Sequence, residues 1–158
     1  RKTYKRYTAL VFGIPKVSGG TIKKAIGRHP VVRTRMAVVH SGKPAHTDWK
    51  VEARYGQKAT RMSCIIHTGR THQIRVHMQS IGHALVGDTT YGCRRIVPEG
   101  ASTETVALLQ RYSRQALHAT ELDFKHPVSK EAMHFSAPIP KDLQALMDAL
   151  THDRDRFH

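Results

Sequence analysis

The densest chemistry in the sequence lies in one run, His67-Thr68-Gly69-Arg70-Thr71-His72-Gln73-Ile74-Arg75-Val76-His77, which gathers two arginines and three histidines around a glycine turn and a helix start. A helix N-terminus offers unpaired backbone N–H groups and a partial positive charge. Such a loop can hold a phosphate or a carboxylate, with Arg70 or Arg75 adding a charge-assisted fork. Histidines at intervals of five raise a metal as the rival. Five residues along a helix turn through about 140° net, however, and no His-Glu-x-x-His pattern occurs, so no metal is expected. Hydrolytic chemistry lacks its Gly-x-Ser-x-Gly elbow. Cys64 and Cys93 lie 29 positions apart without Cys-x-x-Cys spacing, which excludes a cysteine-rich zinc site and a disulfide framework and suits a reducing, cytoplasmic setting. Asp88, in Gly87-Asp88-Thr89-Thr90-Tyr91-Gly92, is expected to bond to nearby backbone N–H groups rather than to act as a nucleophile.

The elements that must position these residues follow from periodicity. Ile74, Met78, Ile81 and Leu85 recur at helical spacing, with Thr71 as the expected N-cap and Gly82 as the stop. Trp49, Val51, Ala53 and Tyr55 alternate, as do Met62, Cys64 and Ile66, which predicts an antiparallel hairpin turning at Gly56-Gln57-Lys58. Tyr7 to Phe12 reads as a strand that begins abruptly, with the expectation that further chain precedes it. Val17 to Pro44, broken by glycines and prolines, reads as an irregular basic loop. A loop at Pro98 to Thr103 leads to a helix over Thr105 to Tyr112. Leu117 to Phe124 and Met133 to Ser136 are strand candidates. A last helix starts at Pro140, with Leu143, Leu146, Met147 and Leu150 on one face before a charged tail at Asp153-Arg154-Asp155-Arg156. Irregular alternation of strands and helices predicts a single α+β domain over residues 1–158, with a mixed, mainly antiparallel sheet and flanking helices and loops.

Charge narrows the partner. The 158 residues carry 26 Lys and Arg against 12 Asp and Glu, a formal net charge of +14. Residues 1–47 hold eleven basic side chains and no acidic one. A field this polarised points to a polyanion, and RNA is the expected partner of Lys23, Lys24, Arg28, Arg70 and His72. The histidines of the dense run are accordingly expected to bond within the loop or to RNA before any serves as a general base. No apolar run approaches the roughly 18 residues that a membrane span requires, so no membrane association is expected.

The string Thr68-Gly-Arg-Thr-His-Gln-Ile-Arg-Val-His77, followed by Gly82-His-Ala-Leu-Val-Gly-Asp-Thr-Thr-Tyr-Gly92, resembles the signature of RluA-type RNA pseudouridine synthases. Lys5 to Gly13 is similar to the strand that carries that family's active-site tyrosine. Arg114 to Ala119, His126-Pro127 and Ala137 to Pro140 resemble its C-terminal part, and the closest subgroup is the D type that modifies large-subunit ribosomal RNA. The resemblance implies an isomerase of the pseudouridine synthase fold, here incomplete and covering the C-terminal portion of the catalytic domain. It implies conversion of specific uridines in structured RNA, with neither cofactor nor metal; a monomer is expected. Tyr7 would pack on the target base and Arg75 would pair with the catalytic aspartate. The His-Arg-Leu-Asp motif that carries this aspartate is absent from the 158 residues. The aspartate is therefore expected upstream, Arg75 is expected to face open space, and the chain alone is expected to be inactive. A noncatalytic RNA-binding module is the alternative. Without the resemblance, Tyr7 reads as a core aromatic and Arg75 as half of a surface ion pair.

Phosphate neutralisation releases counterions, so binding to structured RNA should weaken steeply with salt. Replacing Lys23, Lys24 and Arg28 together by Ala should flatten the log–log slope by roughly 2 to 3 in a filter-binding titration. An unchanged slope would move the contact surface elsewhere.

Overall fold

The computed structural model describes residues 4–56, 59–92 and 101–156. Six strands form one sheet: β1 (Tyr4–Phe12), β2 (Gly19–Ile22), β5 (Thr47–Tyr55), β6 (Ala59–Ile66), β7 (Leu117–Lys125) and β8 (Ala132–Ser136), in the order β2-β5-β6-β1-β7-β8. Their pairings are all antiparallel. A small separate ribbon joins β3 (Ile26–Arg28) to β4 (Met36–Val38), and among the described residues there are three helices: α1 (Gln73–Ser80), α2 (Thr103–Arg111) and α3 (Lys141–Arg156). The α+β class with an antiparallel sheet is as the sequence pattern predicts.

The sheet is covered on both faces, which explains why β1 buries Thr8, Ala9, Leu10 and Val11 in succession instead of alternating. Side chains along a strand point to opposite faces in turn. Leu10 joins a cluster with Leu109 of α2 and Leu143, Leu146, Met147 and Leu150 of α3. Ala9 and Val11 join the opposite cluster with Trp49, Met62, Cys64 and the α1 residues Ile74 and Met78. The Cys64 thiol is fully buried, and desolvation pushes it up to about 12, so it is a packing residue. No helix of the described residues is long and apolar enough to cross a membrane.

Three expectations need correction. The segment from Val17 to Pro44 is not irregular: it contains β2, β3 and β4. The glycines that look like breakers are points of close approach. A Cβ on Gly42 would lie 2.4 Å from the Ile26 carbonyl carbon, and one on Gly19 would lie 2.9 Å from the Trp49 carbonyl oxygen. The charged run Asp153 to Arg156 is the last turn of α3 and not a tail. Asp153 is 1% exposed, and its Oδ2 accepts from the Ser102 N–H at 3.0 Å and the Thr105 hydroxyl at 2.7 Å, fastening α3 to the start of α2. Ser102 is the α2 N-cap, accepting from the Thr105 N–H, so α2 begins earlier than the apolar pattern indicates. The third correction concerns α1. Its N-cap is His72, not Thr71, and it stops after Ser80, so Leu85 lies outside it and pairs instead with Val11. Gly82, at φ +84°, ends the helix as expected. The expected turn residues Gln57 and Lys58, the start of the Pro98 loop, and Cys93 lie outside the described residues.

β8 forms one edge of the sheet. Its residues are largely exposed, with Phe135 stacked on Phe124 of β7 at 5.8 Å between ring centroids. On the α3 face Leu143, Leu146, Met147 and Leu150 are all buried. Leu146→Ala there should lower unfolding stability by about 2–5 kcal/mol in urea denaturation, because Leu146 is 0% exposed and its neighbours close only partly over the gap.

Candidate active site

The dense run after β6 is organised by one buried amide. Gln73 Oε1 accepts from the Thr68 hydroxyl at 2.7 Å and the Arg70 N–H at 3.1 Å, while Nε2 donates to the His46 carbonyl and the Thr47 hydroxyl, both at 2.9 Å. These four bonds use the amide's capacity on both sides and close the loop. His72 then takes φ 56°, a left-handed conformation unusual for a residue with a side chain. Arg70 Nε donates to the Pro44 carbonyl at 2.7 Å, so this arginine orders the loop.

A polar chain continues from Thr47. His77 is 0% exposed; its Nδ1 lies 2.8 Å from the Thr47 Oγ1 and its Nε2 lies 2.8 Å from the Lys24 carbonyl oxygen. A carbonyl only accepts, so Nε2 carries the proton and Nδ1 accepts the Thr47 hydroxyl proton. Burial holds the imidazole below its usual pKa, in agreement with a neutral ring. The dense loop is thereby tied to the basic segment at Lys24.

Arg75 projects from α1 and meets Asp88 in a two-point fork: Nε to Oδ2 at 2.8 Å and Nη2 to Oδ1 at 3.0 Å. Asp88 also accepts from the Thr90 and Tyr91 N–H groups, both at 3.1 Å, as its sequence context predicts. The side chains are 13% and 1% exposed, respectively. Burial pushes the Asp88 carboxyl up, but the Arg75 fork and the two N–H donors outweigh it and hold the group below the ordinary carboxylate value. The expectation that Arg75 faces open space is therefore corrected. No reading of Asp88 as a turn residue reveals this pairing, because it crosses from a helix to a loop.

Tyr91 supports the fork. Its ring lies under the Arg75 guanidinium at 4.9 Å and the Arg35 guanidinium at 5.4 Å. Its oxygen accepts from the Met36 N–H at 3.0 Å and lies 2.6 Å from His72 Nδ1. Desolvation and the Arg75 charge lower the His72 pKa, which leaves a neutral imidazole as acceptor of the phenol proton. Gly87, at φ +80°, lets the chain turn into Asp88; a Cβ there would meet the Arg114 carbonyl oxygen at 2.0 Å.

Tyr7 sits on β1 opposite Cys64 of β6 and Ala119 of β7, and the pairing with β7 slips between Arg6 and Tyr7. Such a slip re-aims a side chain. Tyr7, Ile66, Arg70, His72, Gln73, Ile74, Arg75, Gln115 and Leu117 line one open cleft of about 300 Å³. Tyr7 and Arg75 thus share a cleft although 68 positions separate them. Arg70 and His72 are at its wall. Lys23, Lys24 and Arg28 do not line it; they are exposed on and beside the β3–β4 ribbon. The three histidines of the dense run part company, His67 to Asp48, His72 to Tyr91 and His77 to Thr47 and Lys24. Sequence reasoning missed Gln73 and Tyr91 as organisers, for neither has a periodic or charge signature.

A family profile described as RNA pseudouridylate synthase matches residues 1–80. The chain belongs to that family. Among its relatives, the ribosomal large subunit pseudouridine synthase D of Vibrio parahaemolyticus is 43% identical over 99% of this chain and 48% of its own length. The protein of the same name from Salmonella typhimurium is 46% identical over 97% of this chain and 46% of its own length. The chain spans about half the length of these curated relatives. A solved structure, human RNA pseudouridylate synthase domain containing 1, superimposes with a TM-score of 0.67 at 29% identity, covering 94% of this chain and 65% of that one. The RNA pseudouridylate synthase fold is therefore the frame that brings Tyr7 and Arg75 to one cleft.

The Asp88 pKa is depressed on folding, so its stabilisation is fully present above the unfolded value of about 3.9 and is lost as pH falls through the lower folded value. Asp88→Asn keeps an acceptor for the two N–H groups but leaves Arg75 unneutralised. It should cost about 3 kcal/mol near neutrality and flatten the acid limb of a pH–stability curve.

Proposed function

We propose that this chain carries the base-binding and arginine-bearing part of an RNA pseudouridine synthase, which isomerises uridines of structured RNA, most specifically large-subunit ribosomal RNA, in the cytoplasm. The observation that carries this reading is the shared cleft: an aromatic beside a strand bulge and an arginine line it together, and the arginine is held from behind by the Asp88 carboxylate. In this reaction the base is detached at N1, turned, and rejoined through C5. The uridine must leave its stack to enter the cleft, and the Tyr7 ring offsets part of the unstacking cost by packing on the extruded base.

The nucleophilic carboxylate is proposed to come from a segment outside these 158 residues, in keeping with the absent His-Arg-Leu-Asp motif and with relatives about twice as long. Within a partly apolar cleft, desolvation would raise that carboxylate's pKa, and the Arg75 charge would oppose the rise and keep it ionised. Asp88 engages Nε and one Nη2 proton of Arg75. Among the described residues no other hydrogen-bond acceptor holds the guanidinium, so its remaining donors are available to a second carboxylate. The basic ribbon with Lys23, Lys24 and Arg28 would hold the RNA backbone, while Arg70 and His72 border the cleft.

Tritium release from 5-tritiated uridine in ribosomal RNA fragments tests this. The 158-residue chain alone should release none, whereas the chain joined to the segment bearing the aspartate should turn over. In that active form Arg75→Ala should lower kcat by about 10²-fold or more, with RNA affinity little changed. Tyr7→Ala should cost about 1–3 kcal/mol in transition-state stabilisation, and Tyr7→Phe less, because the stacking face is kept. Release by the isolated chain would place a nucleophile within residues 1–158. RNA binding without turnover in the joined form would support a noncatalytic module instead.

A further inference from the structure

Outside the cleft, two histidines and a carboxylate converge at the ends of β5 and β6. His46 and Asp48 are two positions apart on an extended segment and share a face. His67 follows the last β6 residue and lies across from His46, whose carbonyl accepts the His67 N–H at 3.0 Å. The two imidazoles are 4.2 Å apart between centroids. His46 Nε2 lies 3.0 Å from Asp48 Oδ1, His67 Nε2 lies 2.8 Å from Asp48 Oδ2, and one atom from each side chain falls within 4.8 Å of the others.

We propose that His46, Asp48 and His67 form a binding site for a late first-row divalent metal ion such as Zn²⁺, Co²⁺ or Ni²⁺. A cation about 2.0–2.2 Å from each ligand sets neighbouring ligand atoms about 3.3–3.6 Å apart in a tetrahedral sphere, so the His46–Oδ1 edge of 3.0 Å and the His67–Oδ2 edge of 2.8 Å would open by a few tenths of an ångström around an ion. The Thr21 hydroxyl donates to Asp48 Oδ1 at 2.7 Å and orients the carboxylate as a supporting residue does around a metal ligand. All three side chains are partly exposed, which provides an entry path and room for water to complete the coordination sphere. Two imidazoles and one carboxylate favour Zn²⁺, Co²⁺ or Ni²⁺ over Mg²⁺ or Ca²⁺, which prefer all-oxygen surroundings. His72, His77 and His83 are each committed to protein partners elsewhere, and His134 pairs with Asp123 without a third ligand in reach among the described residues. A bound ion would clip β2, β5 and β6 together just before the loop that Gln73 organises.

The test is calorimetric titration of the metal-free chain with Zn²⁺ at neutral pH, alongside the Zn²⁺-induced shifts of histidine ring resonances. One site is expected, with the largest shifts at His46 and His67, and Mg²⁺ should give no heat. Asp48→Asn and His67→Ala should each weaken binding by about tenfold or more, while His134→Ala should leave it unchanged. Absence of a one-site isotherm, shifts centred on other histidines, or affinity that survives both substitutions would overturn the assignment. The ring shifts of the unsubstituted chain decide the matter even if a substituted one fails to fold.

Discussion

The ion pair between Arg75 and Asp88 is the contact on which the site's geometry turns. An arginine on a short helix has many rotamers, and a cleft that is to present it in one orientation must fix it from behind. Asp88 does so with both oxygens, and the Tyr91 ring beneath the guanidinium limits its swing. Asp88 is itself immobilised by two backbone N–H groups and by a turn that only Gly87 can make. The arrangement is costly to take apart because removing either charge strands the other in a nearly dry position.

Two polar links join this centre to the basic ribbon. One passes from Gln73 through Thr47 and His77 to the Lys24 carbonyl. The other passes from His72 through the Tyr91 hydroxyl to the Met36 N–H. The ribbon's buried apolar contact is a small cluster, Ile26 and Met36 against Ala45, Val76 and Tyr91, while Val31, Val32 and Val38 stay exposed. Hydrogen bonds from His77 and Tyr91, each of them bonded in turn to the network behind the cleft, add to the ribbon's orientation and link the placement of the proposed phosphate contacts to that of the cleft.

Periodicity carried the hairpin of β5 and β6 and the apolar face of α3, since each buries a regular stripe, whereas β1 was legible from its β-forming residues and the Gly13-Ile14-Pro15 stop. It failed where a residue's role depends on a distant neighbour. Gly27 and Gly42 look like breakers in the sequence but are points where two segments nearly touch. Asp153 looks like part of a solvated tail, yet it serves the start of α2 from within the last turn of α3. The dense run at 67–77 was conspicuous, and so was Tyr7 once the resemblance was drawn. The partner of Arg75 was not, because a fork between α1 and the Gly87–Gly92 turn leaves no trace in spacing. Arg70 and His72 could be placed near the site from sequence, but their bonds to Pro44 and Tyr91 depend on three-dimensional closure.

The exposed β8 edge also sets where the domain can give way. β8 pairs with Glu121 to Lys125 of β7, whereas Tyr7 faces Ala119, beyond the end of that pairing. Amide protons of β8 should therefore exchange with solvent through local opening of low free energy, while those of β1 and β6 exchange only when the whole domain unfolds. Fluctuation at that margin stays uncoupled from the cleft, so length changes in the 126–131 connection are tolerable in a way that a single-residue insertion between Arg6 and Tyr7 is not.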